Sequence, residues 1–328
     1  MSEAVIHGIA ALKQVHLSLG VVGTIGNALV CLTILKTKAL HNVTNYMILN
    51  LAIADAIASS ITILEQTIME NHRLGIGIFG YCTPSFIYNF KAFFIFSYFQ
   101  RVSFSNSVFA LTLATFERYI GIIKPLHYFT FFTKRRLISM LLFMWLAPSL
   151  TEVFTPIFYI ITYEADNCTV PSAEKYPIAR ASGIVRLIFD FIILSIALAY
   201  MYARILINLK RGARHLENQG IQGQQSQELH QAHKKVTKSL LLVLAAFFIL
   251  ILPSQILRNV LTFSNLYGGD YFAAELLSTL IFCLSSMNSA INPIMYGLSY
   301  GQLRRACIAM LCPFDRCKRS NQVAQNFT

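Results

Sequence analysis

The residues best equipped for chemistry stand inside long apolar runs. Asp55 ends the stretch Asn50-Leu-Ala-Ile-Ala-Asp55, Asn27 follows Gly26, and Asn288, Ser289 and Asn292 interrupt another run just before Pro293. Ser103, Asn106 and Ser107 share a further one. An ionisable or amide group in hydrocarbon is costly, so each is read as functional, with interhelical hydrogen bonding as the structural alternative. Enzyme chemistry finds no foothold. The eight histidines lie mostly in loops, with no HExxH pair, no nucleophile elbow and no His/Cys/Asp/Glu metal cluster. Gly75-x-Gly77-x-x-Gly80 mimics a nucleotide fingerprint, but no strand–helix unit surrounds it, and it is read as a loop.

Positioning such residues takes elements of membrane length. The chain has 328 residues, 55% hydrophobic and 13% charged, with mean hydropathy +0.55. Soluble domains keep about a quarter of their residues charged, and 25 Phe with 15 Tyr exclude a disordered chain. A helix needs about 20 apolar residues to cross the roughly 30 Å hydrocarbon layer. Seven stretches qualify: 15–35, 46–69, 92–123, 137–161, 184–207, 236–261 and 272–298. The expected fold is an all-α membrane protein, a seven-transmembrane helix bundle. No internal repeat is visible. Residues 211–233, rich in Gln with Gly and His, read as a loop, and the first span is expected to serve as its own insertion signal.

Most of the 27 Lys and Arg lie in or beside the loops after spans one, three and five and in the tail. That places those segments in the cytosol and the amino terminus outside. Of the acidic residues, only Glu117, Glu217, Glu228 and Asp315 share the inner side. The net charge of +12 is thus a topology signal, and nucleic acid is not an expected partner. Cys82 and Cys168 fall outside, where a disulfide can persist, and Asn167-Cys168-Thr169 is an outer glycosylation sequon. The sequons at Asn42 and Asn326 face the cytosol and are discounted. Cys307, Cys312 and Cys317, beside Arg304, Arg305, Lys318 and Arg319, suit reversible palmitoylation, with ordinary free thiols as the alternative.

Gly26-Asn27, Leu51-Ala52-xx-Asp55, Glu117-Arg118-Tyr119, Pro125-Leu126, Trp145, Pro253 and Asn292-Pro293-Ile-Met-Tyr296 occur in order, in or beside every expected span but the fifth. Together they resemble the rhodopsin-like (class A) G-protein-coupled receptors. The resemblance implies that Arg118, with Glu117 and Tyr119 at the end of the third helix, engages the G protein. The glutamate would hold the guanidinium until a partner offers something better. A second acidic clamp, expected twenty residues before Pro253, is His233 here, so some basal activity is expected. Asp55, Ser107, Asn288 and Ser289 match a sodium pocket, a water-filled cluster being the alternative; no other cofactor is expected. Tyr202 and Tyr296 match two tyrosines that meet through water on activation, and Pro253 the kink on which the sixth helix swings outward. Residues 299–311 resemble a short amphipathic eighth helix, with Leu303, Cys307 and Met310 on its apolar face. The receptor domain would cover 1–298, with an extracellular amino terminus at 1–14, and 312–328 would be a cytoplasmic tail.

The pattern also breaks. Ile251 stands where the family carries its sixth-span tryptophan, leaving Phe247 more of the packing switch, and Leu194 replaces the fifth-span proline. Cys82 lies thirty-six residues before Arg118, farther than the family pattern. A helix of that length would span about 54 Å, beyond the 40–45 Å of bilayer and headgroups. Cys82 is therefore expected in an enlarged outer loop, with Phe93 at the helical position, still bridged to Cys168 as the resemblance implies. Ser286 in place of the retinal lysine makes an opsin improbable. Gln100 in place of the amine-pairing aspartate argues against amines and, with Lys234-Lys235-Val-Thr-Lys238, is similar to neuropeptide receptors.

The expected ligand contacts are Glu65, Gln100, Arg101, Phe104, Arg186, Asp190, Gln255, Arg258, Glu275 and Phe282. Alternating charges around an aromatic-rich cavity suit a zwitterionic or amidated peptide. Internal pairing is the alternative, above all Arg186 with Asp190 at i, i+4 spacing, and interfacial snorkelling accounts for Lys91 and Arg258. Three functions compete. The first is a plasma-membrane receptor for a neuropeptide that activates heterotrimeric G proteins, meets arrestin and sits among membrane lipids. The second keeps the fold but binds a lipid, nucleoside or odorant, which the missing fifth-span proline supports. The third, a transporter or intramembrane enzyme, lacks the inverted repeats or metal cluster it would need.

Overall fold

The computed structural model describes residues 3–79, 84–154, 157, 177–219, 245, 248–257, 260 and 271–311. Among them every regular element is helical, as a bilayer demands: without water, each backbone N–H and C=O must find its partner within the segment. The main helices are α1 (Glu3–Lys36), α2 (Val43–Phe79), α3 (Pro84–Ile123) and α4 (Lys134–Glu152). Helix α5 begins at Pro177–Arg186, passes through a π-helical segment at Leu187–Ile192 and continues over Ile193–Gln219. Helix α6 is described over Phe248–Leu257, α7 over Tyr271–Ser299 and α8 over Gly301–Leu311. Three segments, His7–Lys36, Val43–Thr67 and Gly183–Gly212, are individually long and apolar enough to cross a membrane among the described residues.

Burial runs opposite to that of a soluble protein. Asn27, Asp55, Asn106 and Asn292 are buried, while Ile25, Leu142, Ile196 and Ile249 are each more than 60% exposed. Lipid is as apolar as leucine, so burying leucine gains little and the polar groups collect inside. Helix α1 packs tightly on α2 and α7 through glycines. A Cβ added at Gly23 would run into Ser59 Oγ, and one at Gly26 would lie 3.0 Å from Pro293 Cγ. Asn27 Nδ2 donates to the carbonyls of Gly23 (2.9 Å) and Ser289 (3.0 Å), joining α1 to α7. Asn50 ties three helices, donating to Asn106 Oδ1 at 3.0 Å and accepting from Trp145 Nε1 at 2.9 Å. The apolar core gathers Val108 and Leu111 with Leu198, Met201, Tyr202, Ile251 and Met295.

Several expected boundaries shift. Residues read as an extracellular lead are helical from Glu3, and residues 211–219 belong to α5 rather than to a loop. The enlarged outer loop is overturned up to its tip, because α2 runs through Gly75 and Gly77 to Phe79 and α3 resumes at Pro84. An interior glycine costs a helix only about 1 kcal/mol relative to alanine, and a helix need not stop where the bilayer does. At 40 residues, α3 is about 60 Å long and overshoots it. Phe93 lies within α3 as expected. Cys82, Asn167, Cys168 and Cys312 lie outside the described residues. Cys307 Sγ lies 3.2 Å from Thr33 Oγ1, half-buried against α1, which favours the free-thiol reading for that cysteine.

Candidate functional site

At the inner end of α3, Glu117 is buried and carries three neighbours. Its Oε1 accepts from Tyr128 Oη at 2.6 Å and from Thr44 Oγ1 at 3.1 Å. Its Oε2 lies 3.1 Å from Arg118 Nε, an ion pair without hydrogen-bond geometry. Arg118 Nη2 donates to Thr44 Oγ1 at 2.7 Å, so one threonine serves both charges. Burial, then the hydrogen bond to Glu117 and its charge, hold the Tyr128 phenol above its usual pKa and keep it a donor. Tyr119 packs against the apolar core. Neither Thr44 nor Tyr128 was singled out by motif, since nothing in their spacing ties them to position 117.

Midway along the bundle, Asp55 is fully buried. Its Oδ1 accepts from Ser107 Oγ and Ser289 Oγ, both at 2.9 Å, and Oδ2 from Asn292 Nδ2 at 2.7 Å. Asn288, expected in this set, makes no described bond to Asp55. Asn292, one turn of α7 beyond Asn288, supplies that contact instead. One carboxylate with two hydroxyl oxygens, and Ser103 Oγ buried without a hydrogen-bond partner one turn along α3, fits a small hard cation. Tyr202 and Tyr296 are both buried, and neither phenol oxygen has a hydrogen-bond partner among the described residues. Pro253 lies within α6, where Ser254 Oγ donates to the Ile251 carbonyl at 2.8 Å.

In the outer half, a cavity opens between α3 and α7, lined by Arg101, Phe104, Ser105, Val108, Glu152, Arg186, Phe191, Ile251, Gln255 and Ser285. Glu152 is 1% exposed, and its Oε2 accepts from Arg101 Nε at 3.0 Å and Arg186 Nη1 at 3.1 Å. Arg186 thus finds its described partner on α4; the side chain of Asp190, the partner expected from spacing, lies outside the described set. Of the expected ligand contacts, Arg101, Phe104, Arg186 and Gln255 line this cavity.

Four others turn elsewhere. Gln100 donates to Thr62 Oγ1 on α2 at 3.0 Å, and Glu65 accepts from Ser97 Oγ at 2.8 Å. Gln100 is turned about 100° from Arg101, and Ser97 lies one turn of α3 farther out than Arg101. Glu275 pairs with Lys13 of α1, and Phe282 stacks on His16 with ring centroids 5.8 Å apart. Helix α7 therefore turns that stripe toward α1, not toward the cavity. His16 is buried, its Nδ1 accepting from Gln66 Nε2 at 2.8 Å and its Nε2 lying 2.9 Å from Ser286 Oγ. Arg258 and Phe247 lie outside the described residues. Glu152 and His16 were overlooked, though each is an ionisable residue within an apolar run, the signal that singled out Asp55.

Residues 26–296 match the 7 transmembrane receptor (rhodopsin family). Over 322 residues the chain is 27% identical to the alpha-1A adrenergic receptor of Oryctolagus cuniculus, covering 87% of this chain and 64% of that protein. It is 26% identical to the Homo sapiens alpha-1A adrenergic receptor over 345 residues, 93% of this chain and 69% of that one. With the adenosine receptor A2a of Cavia porcellus it shares 26% identity over 308 residues, covering 89% and 70%. The chain thus spans slightly under two thirds of the rabbit relative's length.

Proposed function

The chain belongs to the seven-transmembrane receptors of the rhodopsin family, multi-pass plasma-membrane proteins rather than enzymes, and from that premise we propose that it relays an extracellular binding event to heterotrimeric G proteins. The inner end of α3 carries the reading. Arg118 is held there by one carboxylate and one hydroxyl, contacts of the kind a docking partner can replace. Hydrogen bonds to charged groups contribute about 1.5–3 kcal/mol each, within reach of an allosteric coupling. The amino terminus lies outside and the basic loops inside, where Arg118 meets the G protein and then arrestin. Pro253 is the pivot of α6. Asp55, Ser107 and Ser289 would hold sodium, which would supply the buried carboxylate with a compensating charge.

The ligand enters the cavity bounded by Arg101, Phe104, Arg186 and Gln255. Lys234–Lys238 supports a peptide ligand. Two observations favour the small-molecule reading. The relatives are named for adrenergic and adenosine receptors, and Gln100, the residue that suggested a peptide, is bonded to Thr62 away from the cavity.

Nucleotide exchange on a heterotrimeric G protein, measured in membranes bearing the wild-type chain or Arg118→Ala, tests the proposal. Exchange should fall at least tenfold in the variant. Equal exchange overturns the role given to Arg118.

A further inference from the structure

We propose that the outer cavity seats a carboxylate of the ligand between Arg101 and Arg186. The inference rests on the receptor reading, since the cavity is the one assigned there to the extracellular ligand. Three observations carry it. Both guanidiniums lean on a single oxygen, Oε2 of Glu152, and face each other across it. Arg101 Nη2 is buried and has no hydrogen-bond partner among the described residues, a donor left over beside the cavity. Among the described side chains, the carboxylates nearby are already engaged: Glu152 is 1% exposed and doubly bonded, and Glu65, whose charge also reaches Arg101, is bonded to Ser97 and does not line the cavity.

The cavity therefore offers donors and positive charge where an amine-binding site would offer an acceptor. A planar carboxylate matches the guanidinium fork, and Phe104, Val108, Phe191 and Ile251 supply an apolar wall for an aromatic or aliphatic stem. The carboxylate has two sources, a small organic acid or the free carboxy terminus of a peptide.

The test uses the full chain in lipid nanodiscs, with affinities read by calorimetry. The probes are 4-phenylbutyrate, its primary amide and 4-phenylbutylamine, with acetyl-Phe-Phe as free acid and as amide. At least one acid should bind ten times or more tighter than its own amide, and 4-phenylbutyrate or the dipeptide acid, whichever is tighter, identifies the source. Arg101→Gln should weaken the acid at least tenfold. Arg101→Lys, which keeps the charge but replaces the planar fork, should weaken it severalfold, and Glu152→Gln should tighten it. Thermal unfolding without probe shows which variants fold, and any one that folds is informative. Amine or amide binding as tightly as acid, no acid binding at millimolar concentration, or unchanged acid affinity in the arginine variants overturns the proposal. G-protein nucleotide exchange with Arg118→Ala reports on the receptor reading separately, so either can fail alone.

Discussion

Thr44 accepts from Arg118 and donates to Glu117, while Tyr128 reaches the same carboxylate from the inner loop. The acid expected by resemblance twenty residues before Pro253 is His233 here. Thr44→Val and Tyr128→Phe should each raise ligand-free nucleotide exchange severalfold, since a hydrogen bond to a charged group is worth about 1.5–3 kcal/mol. Exchange at or below the wild-type rate in both variants would show that the bonds do not restrain Arg118. Asp55 allows a second residue-level prediction. Sodium chloride should raise the thermal midpoint of the purified wild-type chain relative to choline chloride, and Asp55→Asn should abolish the difference. An equal sodium effect in the variant would place the ion elsewhere.

The π-helical segment Leu187–Ile192 is the most consequential irregularity among the helices. It occurs without the fifth-span proline, two residues before Leu194, and it joins an outer half bearing Arg186 to an inner half anchored by Leu198, Met201 and Tyr202. A π segment carries more residues per turn than the α-helix around it. It takes up its extra residue internally, because six residues at about 82° each turn nearly as far as five at about 100°. Deleting Phe189 should therefore restore α-geometry and leave Arg186 facing Glu152. Substituting Arg186 by alanine in the wild-type background should cost about 1.5–3 kcal/mol of stability, a charged hydrogen bond's worth. In the deletion background it should cost about the same. Thermal unfolding of the four proteins makes this a cycle, and an Arg186 effect lost after the deletion counts against the register argument.

Across the whole molecule, the bundle is held less by apolar burial than by close approach and by polar contacts between helices. Gly26 is the clearest case, because the group facing it is the ring of Pro293, which cannot rotate aside. Gly26→Val should destabilise by about 1–3 kcal/mol, the usual cost of overpacking, and lower the thermal midpoint and surface expression together. A midpoint equal to wild type would mean that α1 and α7 separate at little cost. Asn27, one residue on, bonds the carbonyl of Ser289, whose hydroxyl serves Asp55. The same contact surface therefore links packing to the polar seam.

The order and number of the spans could be read from the chain, because the bilayer sorts residues along one axis and a run of about 20 apolar residues records it. The placement of Asp55 within an apolar run was legible in the same way, whereas its grouping with Ser107 and Ser289 and the position of Glu117 and Arg118 at the end of the third helix came from the family resemblance. Rotation about each helix axis was not. Whether Gln100 or Arg101 faces the cavity, and that Arg186 finds Glu152 on another helix, are matters of azimuth. Neighbouring helices set that angle through glycine contacts, a π turn and kinks at proline, none of which leaves a periodic mark on its own segment. Depth in the membrane was written in the sequence; direction around the bundle was decided by packing.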